Sequence, residues 1–188
     1  MGLTQISRRK FLVTAGAVAG VSALRPQALY GVPPSLPAQS ETPADYTLTI
    51  ATKPIELAPK HIVSVTTYNG QFPGPLLRFK EGQRVTVDVR NETDVPEQLH
   101  WHGQAIPTDV DGAAEERTPF IPPHGSRTIS FVPNPSGFRF YHTHVRAGSD
   151  LSRGQYSGLV GPVYIEPRSN PGHYDREIFL TLKEFEPT

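Results

Sequence analysis

From Asp45 onward, short runs of alternating apolar and polar residues are separated by turn residues at intervals of about ten. The clearest run is Arg84-Val85-Thr86-Val87-Asp88-Val89-Arg90, whose valines share one face and whose hydroxyl and charged residues share the other. Tyr46–Ile50 and His61–Val65 alternate in the same way, and further strands are predicted over Gln98–His102, Arg127–Val132, Phe138–His144, Leu159–Glu166 and Glu177–Lys183. No stretch after residue 40 carries a helical period. The 20 prolines and 16 glycines suit many tight connections. Phe72-Pro73-Gly74-Pro75 cannot continue a central strand, because each proline removes a ladder donor, and it is expected to be a fixed crossing between sheets. The pattern predicts an all-β, antiparallel sandwich or barrel.

The first 40 residues differ in kind. Ser7-Arg8-Arg9-Lys10-Phe11-Leu12 and the apolar run from Val13 to Leu24 read as a helical twin-arginine export signal. That run is about a dozen residues, where a membrane span needs about 20. Val21-Ser22-Ala23 and Ala38-Gln39-Ser40 both fit small-residue cleavage rules. The proline-rich stretch from Pro26 to Pro43 reads as a disordered linker. Residues 1–40 are therefore expected to be signal and linker, residues 41–188 the folded domain, and the destination periplasmic or extracellular.

Charge changes the picture little. Lys and Arg balance Asp and Glu at 18 each, but Arg8, Arg9, Lys10 and Arg25 lie in the first 40 residues, leaving 14 against 18 in the body. A mildly acidic body gives no footing for nucleic-acid binding. Cysteine is absent, so no disulfide scaffold exists despite the oxidising destination, and the core must hold by burial alone.

Candidate chemistry is concentrated in two places. Four of the seven histidines fall in His100-Trp101-His102-Gly103 and Tyr141-His142-Thr143-His144. Residues two apart on a strand point the same way, about 6.6 Å from one another, so two such pairs on neighbouring strands would put four imidazoles in one pocket. Neutral imidazole suits copper, zinc, iron and nickel. A zinc hydrolase of the His-x-His-x-Asp-His type is disfavoured, because Gln104 and Ala105 follow Gly103. Alternation aims Trp101 away from its flanking histidines. His61, His124 and His173 stand singly and read as surface or otherwise satisfied positions.

Asn69-Gly70-Gln71-Phe72-Pro73-Gly74-Pro75, His100-Trp101-His102-Gly103, Asp111-Gly112, Ile121-Pro122-Pro123, Tyr141-His142-Thr143-His144 and Gly158-Leu159-Val160-Gly161 come in the order found in the first cupredoxin domain of multicopper oxidases of the laccase group. The chain resembles that domain over about residues 45 to 185. It departs at Pro122-Pro123-His124-Gly125, where the family commonly runs from proline straight to glycine. The resemblance implies a Greek-key cupredoxin-like β-sandwich and a copper cofactor. It implies half of a three-copper cluster that reduces dioxygen to water, with His100 on the type 2 ion and His102, His142 and His144 on the type 3 pair. Asp111 is implied to orient or protonate oxygen intermediates through water, although Asp-Gly is also ordinary turn chemistry.

Half of that machinery is not in the sequence. A blue-copper site needs a cysteine thiolate with two histidines, and the one methionine is Met1. The family's two later histidine motifs are also missing. The leading expectation is the N-terminal part of a longer oxidase, with further cupredoxin domains, the export machinery and dioxygen as partners, and no turnover by this polypeptide as given. Alternatives are a non-catalytic periplasmic copper-binding module, a subunit whose cluster is completed by a partner chain, a purely structural cupredoxin and a nitrite-reductase-like first domain. The persistence of all four histidines argues against the structural form, and the missing cysteine against the nitrite-reductase form.

Overall fold

The computed structural model describes residues 43–146, 154–169 and 172–185. The export signal and nearly all of the linker expected at the N-terminus lie outside the described residues. Eight strands follow one another: β1 (Tyr46–Ala58), β2 (His61–Tyr68), β3 (Leu77–Lys80), β4 (Val85–Asn91), β5 (His100–His102), β6 (Ser126–Phe131), β7 (Gly137–His142) and β8 (Val160–Glu166). Among the described residues, a four-residue helix, α1 (Thr108–Asp111), sits between β5 and β6, too short to show a period in the sequence.

The strands form two four-stranded sheets, ordered β2-β1-β4-β6 and β3-β8-β7-β5. Parallel pairs, β1 with β4 and β3 with β8, sit inside otherwise antiparallel sheets. The predicted all-β sandwich with crossed connections is the observed architecture.

Alternation explains which faces meet. Val85, Val87 and Val89 of β4 are buried, as are Leu48 and Ile50 of β1 and Ile129 and Phe131 of β6. They share one cluster with Leu77 and Phe79 of β3, Trp101 of β5, Tyr141 of β7 and Val163 and Ile165 of β8. Aromatic rings knit its centre: Trp101 lies 4.9 Å from Phe131, 5.6 Å from Phe79 and 5.9 Å from Tyr141, centroid to centroid. Such tilted contacts add to the area burial that must hold a core without disulfides.

The crossing predicted at Phe72–Pro75 carries the chain from β2 in one sheet to β3 in the other, with a cis Phe72-Pro73 bond. Gly74 donates its N–H to the Val160 carbonyl at 2.8 Å, and the Tyr141 hydroxyl donates to the Pro75 carbonyl at 2.7 Å. A side chain at Gly74 would meet that same hydroxyl. The proline turn is thereby locked onto β7, the strand carrying the second histidine pair.

The end of one strand, the presence of a second and the absence of a third differ from expectation. β1 runs on to Ala58 because its second half pairs only with β2, leaving one edge free where Pro54 needs no ladder donor. β3, with Leu77 and Phe79 inward, is four residues between Pro75 and Gly82 and too brief to stand out. The strand predicted at Glu177–Lys183 does not form. This segment lies against a sheet face, with Phe179 contacting Phe138 of β7 and Tyr164 of β8 and Glu177 accepting from Arg78 of β3, and it is held by side chains without joining a ladder. Ile178, Leu180 and Leu182, whose alternation suggested a core-facing side, instead turn outward with exposures of 76, 72 and 94%.

The central indole should carry much of the stability. Trp101→Ala is expected to destabilise the domain by about 3–5 kcal/mol, measured by urea unfolding; a loss below about 1 kcal/mol would mean the core does not depend on that ring.

Candidate metal centre

The two histidine tripeptides are neighbours. β5 and β7 pair antiparallel with His100 opposite His142, Trp101 opposite Tyr141 and His102 opposite Phe140. With Trp101 and Tyr141 both fully buried, the flanking residues of each strand face out on the same side. Gly161 of β8 lies opposite Tyr141, and an added Cβ there would stand 2.1 Å from the phenol ring. The glycine makes the space that lets Tyr141 point inward and His142 outward.

The four imidazoles converge. Ring centroids of His100 lie 5.7 Å from His102, 5.2 Å from His142 and 5.0 Å from His144; His102–His142 and His142–His144 separate by 5.5 and 5.9 Å. Ligand nitrogens of His100, His102 and His142 all fall within 4.8 Å of one another. His144 stands at the rim, two residues beyond the end of β7. His124 instead pairs with Asp94 at 2.8 Å on the surface, and His61 and His173 are exposed, as expected of single histidines.

Hydrogen bonds decide which nitrogen each ring presents. His100 Nδ1 lies 2.9 Å from the Asp111 carbonyl and 3.1 Å from its carboxylate, both acceptors, so Nδ1 carries the proton and Nε2 keeps a lone pair. His142 Nδ1 lies 2.7 Å from the Thr143 carbonyl, with the same consequence. His144 Nδ1 is 3.2 Å from the Glu115 carboxylate. His102 is turned the other way: its Nδ1 faces His142 Nε2 at 3.3 Å. Two nitrogens each about 2.0 Å from one ion at a tetrahedral angle stand about 3.3 Å apart. The pair is therefore spaced as two ligands of a shared cation, and the all-imidazole donor set suits copper.

Asp111 reaches His100 because of the residue after it. Gly112 caps α1 in the left-handed conformation at φ 91°, and a Cβ there would lie 1.9 Å from the Leu99 carbonyl. Only glycine lets the loop backbone press against β5 so closely. The Asp-Gly pair thus ends a helix and closes no hairpin, and Asp111 is buried against His100.

Several supporting residues carry no signal in the sequence pattern. Phe140 stacks on His102 with centroids 4.2 Å apart and planes at 17°, a contact implied only once His102↔Phe140 is known to be a register pair. Thr143, between two histidines, donates its hydroxyl to the buried Glu97 carboxylate at 2.8 Å, and its carbonyl also accepts from Gln155 at 3.0 Å. His142 and His144 open onto a cleft of about 400 Å³ that Glu115, Phe140, Tyr156 and Lys183 help to line.

Burial pushes the His142 imidazole down to about 4, with the Thr143 carbonyl opposing and the neighbouring His100 adding to the depression. His102 is lowered by burial and then by His100. Both are neutral at pH 7, the form a metal requires. In the metal-free protein the His142 shift lies below the unfolded value of about 6.5, so its contribution to stability is complete above that pH and is lost as pH falls towards 4. Urea unfolding is expected to show about 2–3 kcal/mol less stability at pH 4.5 than at pH 7 from this group. His142→Gln should remove that part of the slope, and an unchanged slope in the variant would contradict the assignment.

Comparison with known proteins agrees with this geometry. The family model described as "Multicopper oxidase" matches residues 49–170. The multicopper oxidase MmcO of Mycobacterium tuberculosis is 39% identical over 125 residues, which cover 66% of this chain and 23% of the relative. Copper resistance protein A of Pseudomonas syringae pv. tomato is 33% identical over 187 residues, covering 97% of this chain and 29% of the relative. The chain thus spans under a third of the length of these relatives. Among solved structures, the multi-copper oxidase from Pseudomonas thermotolerans superposes with a TM-score of 0.60 at 34% identity, over 68% of this chain and 30% of that one. A β-sandwich that carries paired His-x-His strands and matches that model over most of its body belongs to the multicopper oxidase family.

Proposed function

We propose that this chain is the copper-binding first domain of an exported multicopper oxidase and supplies half the histidine ligands of a trinuclear cluster that reduces dioxygen to water. The observation that carries the reading is the convergence of His100, His102, His142 and His144 on one side of the β5–β7 pair. Copper, when held there, would supply dioxygen binding and electron delivery. On the family's pattern His100 serves the type 2 ion, and His102, His142 and His144 the type 3 pair, with His102 and His142 on the same ion.

The chain's own residues have definable tasks in this reading. Thr143 and Asp111 hold protons on the Nδ1 atoms of His142 and His100, leaving Nε2 of each for metal. Phe140 shields one face of His102. The Asp111 carboxylate, within 3.1 Å of His100 Nδ1, is placed to exchange protons with water at the cluster's edge. The outward row of Ile178, Leu180 and Leu182 is an apolar surface for a further β-domain of a longer polypeptide. The Arg8-Arg9 pair supports export by the twin-arginine route.

A second reading, a non-catalytic copper-binding module, is favoured by one fact: the chain has no cysteine with which to build an electron-entry site. Both readings require the histidines.

Copper titration of the metal-free protein tests the common core. Stoichiometric binding is expected, and His102→Ala with His142→Ala should weaken it at least tenfold; unchanged affinity would remove the assignment. Incubated with a laccase dye under air, the copper-loaded chain alone is expected to give no turnover, and sustained oxidation would contradict the half-cluster. Replacing Arg8 and Arg9 by lysine should leave the protein in the cytoplasm on fractionation, whereas export unaffected by the change would rule out the twin-arginine route.

A further inference from the structure

The loop after β5 places two carboxylates four residues apart, and they reach two neighbouring rings of the histidine cluster, His100 and His144. Asp111 contacts His100. Glu115, in a 3-10 turn over Ala114–Glu116, brings Oε2 to 3.2 Å from His144 Nδ1 and Oε1 to 3.9 Å from Arg146. The turn is held on both sides. Arg117 closes it in the left-handed conformation with its N–H on the Ala114 carbonyl at 3.0 Å, and the Thr118 N–H bonds the Ala113 carbonyl at 3.3 Å. Gly112 also donates to the Thr118 hydroxyl at 3.1 Å, so the position of Glu115 follows from the same backbone that seats Asp111.

His144 needs this partner more than the other rings do. It lies beyond the last residue of β7, so no sheet ladder orients it, and its side chain is a third exposed. Among the described residues, Glu115 supplies the hydrogen-bond acceptor at His144 Nδ1. A free imidazole rotates and exchanges tautomers; a carboxylate at Nδ1 fixes both the ring plane and the proton, and leaves Nε2 as the ligand atom.

We propose that Glu115 is a positioning residue for His144, holding its proton on Nδ1 so that Nε2 faces the copper site, with Arg146 steadying the carboxylate. The proposal rests on the reading of His144 as a copper ligand. It predicts a local effect: Glu115 is more than half exposed and packs no core, so its loss should leave the fold intact.

The test uses the full chain labelled with 15N-histidine, metal-free, at a pH where the imidazoles are neutral. Two-bond proton–nitrogen correlation spectra are expected to show His144 as the Nδ1–H tautomer. Glu115→Ala should shift it towards Nε2–H, Glu115→Gln should restore it through the amide carbonyl, and Glu116→Ala, the same charge change next door, should do nothing. Copper(II) titration should find affinity about 10–100-fold weaker in Glu115→Ala and unchanged in Glu116→Ala. A His144 tautomer indifferent to Glu115→Ala overturns the proposal. So does copper affinity that survives Glu115→Ala but falls in His102→Ala, an outcome that leaves the proposed function standing. Absence of copper binding in the unsubstituted chain would instead remove the function and this inference together.

Discussion

Burial of Trp101 beside Tyr141 is the constraint from which the site follows. Both side chains are fully enclosed and lie opposite one another in the β5–β7 register. Because strand side chains alternate, inserting these two rings into the core obliges their neighbours to emerge on the far side. A one-residue slip of either strand would bury an imidazole and expose an aromatic ring, an exchange costing several kcal/mol in lost apolar burial alone. Fold stability and the alignment of the histidines are therefore a single property. The glycines at 74 and 161 belong to the same arrangement, since each leaves room for some part of Tyr141.

A second layer of order comes from the loop between β5 and β6. Its backbone touches the chain at Leu99 and His100, where β5 begins, which requires Gly112, and the contact delivers polar groups that the strands themselves cannot provide. The strands set where the rings are; carbonyls and carboxylates set which nitrogen each ring shows. His142 draws its acceptor from the chain immediately following it, His100 from Asp111, and His144 from Glu115. His102 has none of these, and its Nδ1 is turned instead towards His142. One imidazole whose Nδ1 faces a neighbouring ring, among three whose Nδ1 meets an oxygen acceptor, is a consequence of hydrogen-bond supply.

Much of this was legible in the residue pattern, for a definite reason. A period of two is a direct record of which side of a strand faces the core, so the valines of β4, the inward Trp101 and the shared outward face of each His-x-His could be read without coordinates. The proline crossing was legible because proline's missing donor is local chemistry. What escaped depends on partners distant in sequence. Alternation in Glu177–Lys183 suggested a strand with Ile178, Leu180 and Leu182 facing a core, but pairing needs a partner strand, and the segment instead packs through Phe179 against Phe138 and Tyr164. Glu115 and Glu97 approach the tripeptides through tertiary placement, with no spacing rule linking residue 115 to 144 or 97 to 143. Asp111 was open between a role beside the imidazoles and ordinary Asp-Gly turn chemistry, since a dipeptide does not reveal that its carboxylate lies 3.1 Å from His100.

The ligand set also constrains the chemistry on the proposed reading. All four imidazoles belong to one wall, on one side of the β5–β7 pair, and the cleft onto which His142 and His144 open is lined further by Tyr156, Lys183 and Glu115. Four neutral donors shared among three ions cannot fill their coordination shells, so ions bound by this chain alone would keep water where a second wall should supply nitrogen. Water-filled positions also leave the ions without a thiolate-linked route for electrons, since the chain has no cysteine. Rigidity is nevertheless already present: the rings are seated by a core and by hydrogen bonds that need no metal. A half-site of this kind is preorganised for completion, because the wall that arrives second would meet ligands whose orientation has been settled by folding.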